Sequence, residues 1–145
     1  MMRSIFLASI FISLSAVSVA SPVKVISKHS VDDTVKRYSE ALKAADIPVL
    51  SEKIHKKNLP GGFSRTEKEI QFTSPFYGRS IGECHRGERK DRPMTTKIYK
   101  DGAGQVWLEY ATPVGAMNEF GVIECGNEVD TVRRVLGGFA DAATE

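Results

Sequence analysis

The fold of this chain is constrained most by the segment between residues 92 and 113. Two runs rich in β-branched and aromatic residues flank the loop sequence Asp101-Gly102-Ala103-Gly104. Glycine supplies the positive φ angle that a tight reversal needs, so the segment predicts a β-hairpin. We expect the rest of the chain to be organised around this hairpin.

The second strand of the hairpin alternates in polarity, which indicates that one of its faces is buried. The residues expected on that face are Val106, Leu108 and Tyr110. The loop leaves two registers open. An even loop pairs Tyr99 with Val106, whereas a bulge pairs Ile98 with Val106.

Residues 1–20 predict a secretory signal peptide. A positive start with Arg3 precedes an apolar run at 5–17, and residues 18–20 supply the small side chains of a cleavage site. A membrane anchor is the alternative, but the run is shorter than the roughly 20 residues that a spanning helix needs. We therefore expect an exported protein, periplasmic or secreted, whose mature part, residues 21–145, is one domain without a membrane span.

The charges of the chain are nearly balanced but unevenly distributed. There are 20 Lys and Arg against 18 Asp and Glu, which argues against a dedicated nucleic-acid binder. Between Lys53 and Lys100, however, 12 basic residues stand against 5 acidic ones. This basic segment indicates a surface whose charges are simply solvated; the alternative is a docking surface for an anionic partner.

Two long helices are predicted by apolar residues at helical spacing. Ser30 is expected to cap the first, with Asp33 as its partner in a capping box. This helix should end near Asp46, because the proline that follows disfavours helical geometry. Asn127 is expected to cap the second helix, whose apolar stripe extends to Ala143.

The other predicted strands are residues 23–27, 47–55 and 68–74, and Leu50 and Ile54 of the second are expected to contact the core. The predicted connections are a loop at 56–67, a short weak helix within 76–91 and a loop at 114–125. Strands and helices do not alternate strictly, so the class is α+β. We expect a mostly antiparallel sheet of about five strands with both long helices on one face.

The chain contains the short motifs Ser30-Val31-Asp32-Asp33-Thr34, Ile47-Pro48-Val49, Phe72-Thr73-Ser74-Pro75, Arg92-Pro93-Met94 and Val106-Trp107-Leu108-Glu109-Tyr110-Ala111-Thr112-Pro113. These motifs are similar to those of the domain of unknown function 302 family. The resemblance covers roughly residues 25–143 and implies a helix-grip-like fold, a curved antiparallel sheet wrapped on a long C-terminal helix. It implies no activity.

The chain departs from the family pattern in two places. The Gly-Asn at the end of the family's third strand is Thr73-Ser74 here, and the aspartate of its Ile-Asp-His segment is missing before His55. A role of that Asp-His pair is therefore not carried over to this chain.

Trp107 and Tyr110 are expected to point to opposite faces of one strand. In one interpretation, one ring belongs to the core and the other covers an exposed edge or a second cluster. In the other, an aromatic residue lines a ligand groove between sheet and helix. His55, Trp107 and Tyr110 are the candidate ligand-binding residues.

The two cysteines, Cys84 and Cys125, predict a disulfide, because an exported chain meets an oxidising compartment. The bridge would close a loop of about 40 residues and stabilise the fold by roughly 4 kcal/mol. The alternative is a zinc or copper site in which both cysteines join His55 and His85, although their spacing matches no compact metal motif.

No catalytic motif is present: the sequence has no Gly-x-Ser-x-Gly, no His-Glu-x-x-His and no phosphate-binding glycine loop. The leading hypothesis is a non-enzymatic exported module that binds a small molecule or a partner without a cofactor. The alternative is an exported metal-binding or redox-active protein that uses Cys84, Cys125 and histidines. A hydrolase with acid–base chemistry from His55 and Glu109 or Glu124 is a third class.

Overall fold

The computed structural model of the chain describes residues 22–73, 93–111 and 126–145. The elements in chain order are β1 (Val23–Ser27), α1 (Val31–Ala44), β2 (Val49–Asn58), β3 (Ser64–Phe72), β4 (Met94–Lys100), β5 (Val106–Tyr110) and α2 (Gly126–Thr144). The five strands form one sheet in the order β1-β5-β4-β3-β2, and every neighbouring pair is antiparallel. The predicted α+β class and element order are confirmed.

Helix α1 begins and ends where the sequence indicated. The Ser30 hydroxyl accepts a hydrogen bond from the Asp33 backbone N–H at 3.1 Å, which is the predicted N-cap. At the other end, Asp46 adopts a left-handed φ of 57°. Its N–H donates to the Lys43 carbonyl at 3.0 Å, and the Ile47 N–H donates to the Leu42 carbonyl at 2.9 Å. These two bonds form a Schellman motif, which satisfies the last carbonyls of the helix before the proline.

The core lies between the helices and one face of the sheet. The apolar side chains that are fully buried include Tyr38 and Leu42 of α1, Val132 and Leu136 of α2, and Ile70, Phe72, Ile98 and Leu108 of the sheet. Tyr38 stands edge-on to Phe72 with ring centroids 6.0 Å apart. Its hydroxyl lies 2.8 Å from the Thr96 hydroxyl, which anchors α1 to β4 in the centre of the sheet.

The β2–β3 hairpin is longer than predicted. Instead of a loop at 56–67, β2 continues to Asn58 and β3 starts at Ser64. The prediction that Leu50 and Ile54 contact the core is wrong, since their side chains are 51% and 70% exposed. β2 is the outermost strand of the sheet, and the helices do not cover these side chains.

The hairpin between β4 and β5 adopts neither predicted register. Lys100 pairs with Val106, and Tyr99 pairs with Trp107. The reason is a five-residue loop in which one Asp101 carboxylate oxygen accepts from the Ala103 and Gln105 N–H groups, each at 2.9 Å. The buried face of β5 is the predicted one.

Helix α2 starts at Gly126, one residue before the predicted cap. Its buried residues Val132, Leu136, Ala140 and Ala143 agree with the predicted stripe. The predicted short helix within 76–91 and loop at 114–125 lie outside the described residues. Within the described ranges, no helix combines the length and the apolar character needed to cross a membrane.

Candidate functional site

The face of the sheet opposite the helices, called here the outer face, carries a row of paired side chains across all five strands. Each residue of the row lies directly opposite the next: Ile26, Trp107, Tyr99, Glu67 and His55. Directly paired residues project to the same face of a sheet. His55 and Trp107, two of the predicted ligand-binding residues, therefore share one face.

The three predicted ligand-binding residues do not line one pocket. His55 lies on β2 and Trp107 on β5, three strand spacings or about 14 Å apart. Tyr110 is buried on the opposite face, against the helices, where burial raises the pKa of its hydroxyl. The exposed His55 places its Nε2 at 3.4 Å from a Glu69 carboxylate oxygen. Their role in binding stays a prediction.

A second row on the outer face alternates in charge. Its members, from one edge of the sheet to the other, are Lys24, Glu109, Lys97, Glu69 and Lys53. The Lys24 ammonium is 3.8 Å from the Glu109 carboxylate, which also accepts from the Tyr99 hydroxyl at 3.1 Å. Burial and this hydrogen bond raise the pKa of Tyr99. The row holds three lysines against two glutamates, so opposite charges lie directly opposite each other on neighbouring strands.

Arg65 is held rigidly at the end of the outer face. Its guanidinium carbon lies 3.7 Å from the centre of the Tyr99 ring. Its Nε and Nη2 donate to one oxygen of the buried Glu67 at 2.8 and 2.6 Å. Stacking and ion pairing together immobilise a side chain that is usually mobile.

A cleft of about 820 Å³ opens at the end of the sheet where both hairpins turn. This volume lies within the range of about 300–1,000 Å³ that is usual for small-molecule sites. The cleft is formed by the first turn of α1, the β2–β3 loop, the start of β3 and the end of β4. Its lining residues are Val31, Asp32, Leu59, Pro60, Phe63, Ser64, Arg65, Thr66, Lys68, Lys100, Asp101 and Gly102.

One wall of the cleft is apolar and comes from the β2–β3 loop. The Leu59 N–H donates to the Phe63 carbonyl at 2.7 Å and closes the loop. Gly61 and Gly62 have φ angles of 86° and 81°, a conformation that other residues adopt only with strain. The loop presents the Phe63 ring with 71% of its surface exposed. A large aromatic side chain left exposed beside a cavity is a natural contact for a ligand.

Two of the five charged residues of the cleft, Lys68 and Asp32, pair with each other, and Arg65 pairs with Glu67. The second Asp101 oxygen accepts from the Trp107 indole N–H at 2.8 Å, and this bond, with those from the loop, lowers the pKa of the carboxyl. Lys100 forms no ion pair within the part of the chain that the structure describes. The cleft thus combines an apolar wall with the Lys100 ammonium, which has no ion-pair partner among the described residues, and the Asp101 carboxylate, which is held by neutral donors.

The sequence analysis missed Phe63 and Lys100 as site residues. The signal that could have found the first is a phenylalanine directly after Pro60-Gly61-Gly62, where a hairpin turn gives it no core to enter. Lys100 is not distinguishable by sequence from the other lysines of the basic segment, because its position beside the cleft follows from the hairpin register.

The predicted cysteine chemistry lies outside the described residues, since neither Cys84 nor Cys125 is among them. The disulfide and the metal site with His85 therefore stay predictions. In the described ranges, no group of three or more His, Cys, Asp and Glu side chains is arranged to hold a metal ion.

Comparison with known proteins gives a family and a fold. The family described as "Domain of unknown function DUF302" matches residues 23–143. The chain is similar to a crystal structure of an uncharacterized conserved protein DUF302 from Bacillus stearothermophilus, with a TM-score of 0.65 and 15% sequence identity over 84% of this chain and 97% of that chain. At this identity the likeness concerns the fold alone. No curated protein matches the chain.

Proposed function

This chain belongs to the DUF302 family, and from that premise we propose that it is a non-enzymatic, exported binding protein. Its ligand is an amphipathic small molecule with an apolar part and an anionic group, and its site is the cleft between the hairpin ends. The observation that carries the proposal is that one cleft is lined both by an exposed Phe63 and by Lys100, which has no ion pair among the described residues.

The cleft supports a binding role of moderate affinity. A phenylalanine carries about 150–250 Å² of surface, so a ligand that covers half of Phe63 buries about 100 Å² and gains about 2.5 kcal/mol. A hydrogen bond from the Lys100 ammonium to an anionic group adds about 1.5–3 kcal/mol. The sum of about 4–6 kcal/mol corresponds to a Kd between about 1 mM and tens of micromolar.

The anionic part of the proposal follows from the charges that remain available. Arg65 is committed to Glu67 and Lys68 to Asp32, so these pairs add little net field to the cleft. The remaining charges are the Asp101 carboxylate, which already accepts hydrogen bonds from neutral donors, and Lys100, which supplies a cation with three donor hydrogens. A neutral or cationic molecule of the same shape would lose this contact.

Isothermal titration calorimetry with three matched probes tests the proposal: decanoate, the neutral decanamide and decyltrimethylammonium, each below its micellar concentration. We expect decanoate to bind most tightly. Phe63→Ser should weaken it by tenfold or more, and Lys100→Gln should remove the preference for decanoate over decanamide. Ile26→Ser and Lys43→Gln change an exposed apolar and an exposed basic residue outside the cleft, and should leave binding unchanged.

Two results would count against the cleft as the site. One is the absence of measurable binding of decanoate at millimolar concentration. The other is an equal loss of binding in the cleft variants and in the two control variants.

A further inference from the structure

The free edge of β2 is the largest unused pairing surface among the described strands. The sheet order places β2 outermost, and its ten residues pair with β3 on one side only. A strand edge presents a row of N–H and C=O groups that can pair with another strand. Near the middle of this edge, Ile54 is one of the most exposed apolar side chains.

We propose that β2 pairs antiparallel with β2 of a second copy of this chain, around a two-fold axis at Ile54. The two five-stranded sheets then continue as one. In this register, a residue a given number of positions before Ile54 in one copy faces the residue the same number of positions after Ile54 in the other copy. The resulting pairs are Ile54 with Ile54, Glu52 with Lys56, Lys53 with His55, and Ser51 with Lys57.

The two faces of β2 fit this register. Glu52, Ile54 and Lys56 pair with Ile70, Lys68 and Thr66 of β3, so they project to the helix side of the sheet. Across the two-fold axis, the exposed isoleucines meet each other. Each Glu52 meets a Lys56, so two opposite-charge pairs flank the apolar contact. Directly opposite side chains on neighbouring strands lie about 4.5–5.5 Å apart, within reach of these contacts.

Neighbouring registers that keep both helical layers on the same side of the sheet are less favourable. A shift of the centre to Lys53 places two lysines directly opposite each other and sets Glu52 against Ile54. A shift to His55 places the histidines opposite each other and Lys53 against Lys57. Like charges directly opposite are destabilising, so of these three registers the one centred on Ile54 is the most favourable: it has two opposite-charge pairs and sets each Lys53 against a histidine, not against a lysine.

The helices leave room for this arrangement. Helix α1 lies across β2, β3 and β4, because Ser39 bonds to Glu52, Lys68 pairs with Asp32, and Tyr38 bonds to Thr96. Its centre is therefore above β3. The β3 strands of the two copies would be about 14 Å apart, three strand spacings, which exceeds the helix diameter of about 10–12 Å.

The bulge at the start of β2 limits the paired segment. The register with β3 shifts between Val49 and Ser51, so regular pairing with a second copy extends from Ser51 to Lys57. The three lysines of this segment are also the kind of residue that protects an edge strand from pairing. Charge complementarity favours a dimer, whereas edge protection by these lysines favours a monomer. The oligomeric state in solution therefore distinguishes the two.

Sedimentation velocity at about 1 to 100 µM tests the proposal, on the protein expressed from the 145-residue sequence. We expect a reversible dimer. Lys56→Glu converts both opposite-charge pairs into acidic pairs and should raise the dimer Kd at least tenfold, about 1.4 kcal/mol. The double variant Glu52→Lys with Lys56→Glu restores the pairs with exchanged signs and should recover the dimer. Arg134→Glu, an equal charge change on the exposed face of α2, serves as the control.

A monomer at every concentration would overturn the proposal. A dimer that Lys56→Glu leaves intact, or that the charge exchange does not restore, would place the interface elsewhere and overturn it equally. Decanoate binding measured on the same samples keeps the outcome separate from the proposed cleft.

Discussion

The buried hydroxyl pair of Tyr38 and Thr96 offers a sharp test of how α1 is held on the sheet. Both side chains are essentially without solvent exposure, and their hydroxyl oxygens are 2.8 Å apart. Neither hydroxyl has another hydrogen-bond partner in the described structure. Removal of one hydroxyl therefore leaves the other without a hydrogen-bond partner in an apolar core.

The expected cost follows from this isolation. Tyr38→Phe leaves the Thr96 hydroxyl unsatisfied, and Thr96→Val does the same to the Tyr38 hydroxyl. Each should lower the free energy of unfolding by about 1–3 kcal/mol. The double variant removes both polar groups with little change of shape, and should cost no more than one single variant. The coupling energy between the two positions is then about 1–3 kcal/mol.

Urea unfolding followed by circular dichroism measures all four proteins of the cycle. We expect lower midpoints at unchanged m-values. Thr95→Val makes the same substitution one residue away, on the outer face, and should change stability by less than about 0.5 kcal/mol. If the two single effects simply add in the double variant, the hydroxyl pair does not stabilise the core in the way described.

Two further predictions concern pH. Burial raises the pKa of Tyr38, so between the unfolded and folded pKa values only the unfolded chain loses the phenol proton. The free energy of unfolding should fall as pH rises above about 10, by up to about 1.4 kcal/mol per pH unit. The fall should be less steep in Tyr38→Phe. Parallel curves of urea midpoint against pH for the two proteins would refute this. Trp107 is the only tryptophan, and its bond to Asp101 lowers the pKa of that carboxyl. The contribution of the ionised Asp101 carboxylate to stability should be lost as pH falls through this lowered pKa. Tryptophan fluorescence should titrate with a midpoint below the usual 3.8, and Asp101→Asn should abolish the transition.

The elements could be predicted from the sequence because their signals are local. Ser30 with Asp33 specifies the start of α1, and alternation at Val106 and Leu108 specifies the buried face of β5. The class followed from the order of elements. The error at Leu50 and Ile54 arose because burial of a strand depends on its place in the sheet, and no local pattern shows that β2 is outermost.

The candidate cleft could not be predicted for the same reason. Its apolar and cationic parts come from Phe63 in one hairpin and Lys100 in another, and the antiparallel β3–β4 pairing brings those ends together. The register that sets the position of Lys100 depends on side-chain hydrogen bonds from Asp101. The sequence pointed instead to His55, Trp107 and Tyr110. These are conspicuous residue types, but His55 lies on β2, far from the other two on β5, and Tyr110 faces the helices.

The pairing of β1 with β5 has a consequence for the timing of folding. Ser27 and its partner Val106 are about 80 residues apart, so joining them costs about 4 kcal/mol of chain entropy before any contact compensates it. The Lys28 N–H also donates to the Thr144 carbonyl at the far end of α2, at 2.9 Å. During synthesis, β1 therefore lacks its partner β5 until about 80 more residues have been added. Completion of the sheet therefore waits for β5, and until then β1 stays available to chaperones.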